Sequence, residues 1–222
     1  MKRLLAFVMF MVLMVVAVPV MAQDTPSVDV SDQVSLNGTV RINSVYSEVP
    51  GFIVIHQDNG EGSFGAVIGH RQINAGWSFG VDVPIDASMA TSTLYAMLHV
   101  DTGEAGVYEF GTVEGADSPV VVDGAPVSPA FNVDVISAWN QIVVDTVTIA
   151  NITAQVDGFI VIHADNDGAF GAVIGSAPVS AGQNSDVVVE VDAEGVTDVL
   201  WPMLHVDTGE IGVYEFGTVE GA

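Results

Sequence analysis

The sequence predicts an all-β protein: two tandem antiparallel β-sandwich domains with immunoglobulin-like or Greek-key wiring, preceded by a helical signal segment. Three observations predict it. The stretch Met97–Ala116 returns as Met203–Ala222, with Ala105 against Ile211 as the only difference, so the chain is a duplicated unit before any motif is weighed. Apolar runs are short and are punctuated by Gly, Asp, Asn and Pro, as turns between strands require. No segment beyond the first apolar run carries a 3.6-residue apolar period.

The first residues set the compartment. Lys2 and Arg3 precede an apolar run from Leu4 to Val20, and Val20-Met21-Ala22 leads into polar Gln23-Asp24. This is the layout of a signal peptide cut after Ala22; Pro19 and the small-residue ending favour cleavage over an uncleaved anchor. The expected organisation is 1–22 signal peptide, 23–132 repeat 1 and 133–222 repeat 2. The protein is then secreted or on the cell surface, or periplasmic where the host has an outer membrane.

Strands are expected at Gly38 to Tyr46, Gly51 to His56, Phe64 to Gly69, Trp77 to Ile85, Leu94 to Val100, Val107 to Phe110 and Val120 to Val122. Gly51–His56 is a β-branched run too short for a helix. In the Trp77 strand, Trp77, Phe79, Val81, Val83 and Ile85 alternate with other residues, which puts all five on one face. A closed barrel is the alternative fold. Repeat 2 restates Gly158–His163 and Phe170–Gly175, with one residue lost in the loop between them, which marks a surface turn. Repeat 1 continues from Asp117 to Phe131, whereas repeat 2 stops at Ala222. Repeat 2 is therefore expected to lack its closing strand, leaving an open sheet edge for self-association.

Charge limits the partners. The chain has 28 acidic residues and four Lys or Arg; Lys2 and Arg3 leave with the signal, so Arg41 and Arg71 are the remaining fixed cations. Such a field repels polyanions, which excludes nucleic acid and acidic membrane surfaces. With no Cys, an exported chain must hold its domains by core packing.

At Gly51-Phe52-Ile53-Val54-Ile55-His56, Leu98-His99-Val100-Asp101-Thr102 with Tyr108-Glu109-Phe110, and Gly115-Ala116-Asp117-Ser118-Pro119 with Asp123-Gly124-Ala125-Pro126-Val127, the chain resembles a family of exported domains of unknown function. That family occurs, often as repeats, in surface and secreted proteins of haloarchaea and some bacteria. The resemblance implies an extracellular β-sandwich and carries over no catalytic residue. Gly103 and Ala105 depart from the family's Asn, Gly and Asp-richer turn.

Two patterns carry candidate chemistry. Asp101, Glu104 and Glu109, repeated as Asp207, Glu210 and Glu215, are oxygen donors suited to calcium. The same Asp-Thr-Gly-Glu segment also reads as a tight strand connection, and this is the favoured reading because a calcium shell needs six or more oxygens. Asp58, Asn59 and Glu61 join that set only where their loop shares an end with Asp101. Met97 and His99 face one side of a strand, as do Met203 and His205; with His56 and His163 they form a Met/His set that suits copper, with core packing as the favoured reading. No serine-hydrolase elbow, phosphate loop, zinc-protease helix motif or cysteine nucleophile is present.

The expected function is a non-enzymatic structural or adhesive module, needing no cofactor, whose partner is a cell-surface protein or glycan. The alternative is an extracellular cation-binding protein, calcium before copper, using the repeated His-Val-Asp-Thr-Gly-Glu blocks.

Overall fold

The computed structural model describes residues 24–218; the expected signal peptide lies outside them. The strands in chain order are β1 (Ser27–Asp29), β2 (Gln33–Leu36), β3 (Thr39–Ser47), β4 (Gly51–Asp58), β5 (Phe64–Ile73), β6 (Gly76–Pro84), β7 (Thr93–Val100), β8 (Val121–Val122), β9 (Ala125–Pro126), β10 (Ala130–Ser137), β11 (Thr146–Ala154), β12 (Gly158–Asn166), β13 (Ala169–Val179), β14 (Gly182–Glu190) and β15 (Leu200–Val206). Two single 3-10 turns, Ala87–Met89 and Ala193–Gly195, are the only helical elements among the described residues. Asp86 and Asp192 cap them through side-chain bonds to Ser88 N and Glu194 N.

In repeat 1, β3 lies between β1 and β6 in one sheet, and β4 lies between β5 and β7 in the other. The repeat 1 core draws Val40, Ile42, Val45 and Val83 from the first sheet, and Ile53, Ile55, Leu94, Leu98, Phe131 and Val133 from the second. Their β-branched and aliphatic side chains meet between pleated surfaces, where burial drives strand packing. Repeat 2 restates the pattern. Its core takes Val147, Ile149 and Ile152 from β11, Val189 from β14, and Ile160 and Ile162 from β12.

Three sequence expectations are corrected. Val107 to Phe110 is not a strand but irregular chain between turns. The alternation from Trp77 to Ile85 does not hold one face throughout: Val83 is buried, while Trp77 and Phe79 are 50% and 73% exposed and stack on each other at 5.7 Å. The change of face falls at Gly80, whose φ of 59° is left-handed backbone. Opposite it, β3 also changes face between buried Ile42 and buried Val45. Repeat 2 has the same irregularity at Asp186, φ 51°. Nor is every pairing antiparallel, since β2 runs parallel to β10 through Val133↔Gln33 to Ile136↔Leu36.

The junction is one strand serving both repeats. The first part of β10 pairs with β7 (Phe131↔Leu94), and its last part pairs with β11 (Val135↔Thr153). A single sheet therefore runs β14-β11-β10-β7-β4-β5 through both units. The Val135↔Thr153 pairing in repeat 2 takes the place of Ser27↔Tyr46 in repeat 1, so the end of β10 does for repeat 2 what β1 does for repeat 1. Among the described residues β15 pairs with β12 alone.

Candidate functional site

The register of β4 on β7 builds the site. Phe52 lies opposite His99, Val54 opposite Met97 and His56 opposite Tyr95. Because side chains alternate, Ile53, Ile55, Ala96 and Leu98 point into the core while these six occupy the other face. That outer face is nonetheless buried: His99 is 0%, Met97 3% and His56 6% exposed. The segment after β7 turns back and lays aromatic rings over it. Tyr108 meets Phe52 edge-on at 5.3 Å, and Phe110 meets His99 at 4.9 Å. The sequence placed Met97 and His99 on one face and offered His56 as a further donor; the structure puts all three on one surface and brings the two imidazoles to 6.0 Å between ring centroids. The equivalent pair in repeat 2, His163 and His205, stands at 5.7 Å.

Each ring has a defined tautomer where its partner is a carbonyl. His56 Nδ1 lies 3.0 Å from Gly65 O, His163 Nδ1 3.0 Å from Gly171 O, and His99 Nδ1 2.6 Å from Asp117 O. A carbonyl oxygen only accepts, so Nδ1–H donates and Nε2 keeps its lone pair. His205 Nδ1 instead lies 3.4 Å from Tyr214 Oη. The Nε2 atoms of His56, His99, His163 and His205 are all buried with no hydrogen-bond partner. Burial holds the imidazolium form of His99 down to a pKa of about 4, with the neighbouring His56 adding to the effect, and burial likewise lowers His205. Burial raises the phenol pKa of Tyr108.

The carboxylates have other work. Asp101 accepts from Gly106 N and from Gln72 Nε2, and Glu109 accepts from Glu104 N at 2.7 Å. In repeat 2, Asp207 accepts from Gly212 N and Glu215 from Glu210 N. Glu104 and Glu210 enter these bonds through their backbone N–H. Asp58 accepts from Gly60 N and Tyr95 Oη, while Asp165 accepts from Gly168 N and Trp201 Nε1. Gly51 pairs with Val100 and Gln57 with Leu94, which places Asp58 and Asp101 at opposite ends of the β4–β7 pair. The two acidic loops therefore do not share an end. Among the described residues, no three His, Asp or Glu side chains gather into a metal-holding group.

Asp117 is the residue that sequence reading passed over. It is fully buried at φ 46°, and its carboxylate takes Thr102 N at 2.8 Å and Glu109 N at 2.6 Å. Its own N–H reaches Thr102 Oγ1 and its carbonyl takes the His99 proton. The Asp-Ser-Pro motif marks a turn in sequence, but the pairing of Asp117 with a residue 18 positions earlier is a tertiary fact. His70, which has Ser176 as its counterpart in repeat 2, packs on Tyr108 at 4.5 Å.

Comparison with known proteins relates the chain to surface proteins and to a domain family. The chain is similar to cell surface glycoprotein 1 of Haloarcula hispanica, 32% identical over 127 residues that make up 56% of this chain and 13% of that protein. It is similar to cell surface glycoprotein 2 of the same organism, 32% identical over 114 residues, 50% of this chain and 12% of that protein. The chain thus spans about an eighth of the length of these curated relatives. A family model, described as a domain of unknown function (DUF7282), matches residues 26–134 and again 135–222. With nearly the whole chain after its first residues covered by two successive matches, this protein is a tandem member of the DUF7282 family.

Proposed function

We propose that the protein is a non-enzymatic structural and adhesive module displayed at the cell surface, with each repeat a β-sandwich and its neighbours drawn from envelope proteins, glycans or further copies of itself. The observation that supports this best is the shared strand β10. Two domains on a flexible linker would reorient freely; here one sheet runs through both. Buried Thr153 adds a hydrogen bond from repeat 2 to Ala90 O of repeat 1 at 3.1 Å. An array built this way transmits position and tension from one unit to the next, which suits a surface scaffold. Distant similarity to two cell surface glycoproteins favours the same setting.

Scanning calorimetry of the chain from residue 23 onward tests the mechanical part. One transition whose calorimetric and van't Hoff enthalpies agree is expected. Two separate transitions, unchanged when β10 is interrupted by Val133→Pro, would remove the shared strand as a coupling device. Labelling of intact cells with a membrane-impermeant reagent tests display, and turnover of a generic glycoside or ester panel by the purified protein would count against the non-enzymatic reading.

A further inference from the structure

We propose that each repeat binds one monovalent copper ion between the Nε2 atoms of its histidine pair, His56 with His99 and His163 with His205, with the Met97 or Met203 thioether as the third donor.

The first argument is the unspent lone pairs. A buried polar atom without a partner is costly, and native proteins leave few of them. This chain leaves four imidazole Nε2 atoms in that state, two in each repeat and at equivalent positions. In repeat 1 the Nδ1 atoms are held by carbonyls on opposite flanks of the β4–β7 pair: Gly65 O on β5, and Asp117 O in the chain beyond the far edge of β7. Nε2 is the other nitrogen of each ring, so neither lone pair is directed at the carbonyl that holds its ring. An imidazole whose Nδ1–H is fixed by a backbone carbonyl while Nε2 stays free is oriented as metal-ligating histidines are.

The second argument is distance. With metal–nitrogen bonds of about 2.0 Å and Nε2 about 1.1 Å from the ring centre, two imidazoles sharing an ion have centroids no more than about 6.2 Å apart. The observed separations of 6.0 and 5.7 Å, with ring planes 25° and 33° apart, fall inside that limit.

The third argument is the donor set. Calcium needs a shell of oxygens, and zinc takes four ligands that commonly include thiolate or carboxylate. Here the donors are two imidazole nitrogens and, on the same buried face two residues before His99, a thioether. No third His, Asp or Glu joins them among the described residues. Monovalent copper is soft, accepts two or three ligands and favours thioether sulfur. Phe52, Tyr108 and Phe110 around His99 exclude the water that a harder ion would require.

The test is anaerobic titration of the chain from residue 23 onward with Cu(I), in ascorbate and against a chromophoric Cu(I) chelator. About two equivalents are expected to leave the chelator. His99→Phe should remove about one equivalent, and His99→Phe with His205→Phe should remove both; phenylalanine keeps the ring packing and far-UV circular dichroism checks folding. His56→Phe with His163→Phe gives the same readout from the other strand. X-ray absorption at the copper edge should show nitrogen neighbours near 2 Å that the double variants lose. Stoichiometry indifferent to all four histidines, transfer of less than one equivalent, or tighter binding of Zn(II) than of Cu(I) would each overturn the proposal.

Discussion

The carbonyl oxygen of Asp117 receives the Nδ1 proton of His99 at 2.6 Å, while the carboxylate of Asp117 closes the loop between them by accepting Thr102 N and Glu109 N. One residue thus fixes the tautomer of a buried imidazole and the path of the chain that covers it. Asp117→Asn keeps the left-handed backbone tolerable and one amide acceptor, but leaves a buried N–H short of a partner. The expected cost is about 1–2 kcal/mol, a fall in Tm of roughly 2–8 °C. Thermal melting followed by near-UV circular dichroism of Tyr108 checks it; an unchanged Tm would show that the loop is held by other means.

Acid should weaken the metal-free protein. His99 has a folded pKa of about 4, below the ordinary value of about 6.5. The unfolded chain therefore binds more protons between these values, so this stability is fully present above about pH 6.5 and lost as pH falls toward 4. The loss approaches about 3 kcal/mol, with no further change from this group at lower pH. His56, Tyr108 and the carboxylate of Asp117 are the titratable groups that face it. Urea midpoints with chelator present at pH 7, 5.5 and 4.5 measure the effect, and His99→Phe should flatten the profile in that window.

Gly51 has no room for a side chain. A Cβ built there runs into the carbonyl oxygen of His99, and the same holds for Gly158 against His205. Gly51→Ala should separate β4 from β7 at the end that carries His99, costing about 2–3 kcal/mol. The measurement is the urea midpoint; Gly158→Ala should act alike in repeat 2, and a neutral result at both would mean that the pair relaxes at little cost.

The outer edge of β15 should be competent to take a strand. In repeat 1 the same edge of β7 is occupied: Ala96 N and Leu98 N donate to Pro129 O and Val127 O, and Leu94 and Leu98 are fully buried. In repeat 2, Leu200 and Leu204 are only half-buried and Val206 is 61% exposed. Appending a copy of residues 117–131 after Ala222 should stabilise repeat 2 by about 2 kcal/mol through the added apolar burial, and should reduce any oligomers seen by size exclusion. Oligomers unaffected by the appended strand would place self-association elsewhere.

Duplication, strand-like apolar runs, acidity and the absence of cysteine were all legible in the residues themselves, because each depends on composition or on neighbours along the chain. Period two put Met97 and His99 on one face, and β7 bears this out. The same rule failed at Trp77 and Phe79, because left-handed backbone at Gly80 changes the face without leaving a gap in the pattern. What only the tertiary structure decided was convergence. That His56 meets His99, that Asp117 closes on His99, that Asp58 and Asp101 lie at opposite ends, and that β10 serves both repeats all depend on register between strands. Register is set by the summed packing of a whole face and by the turns that join its strands, and no single residue records it.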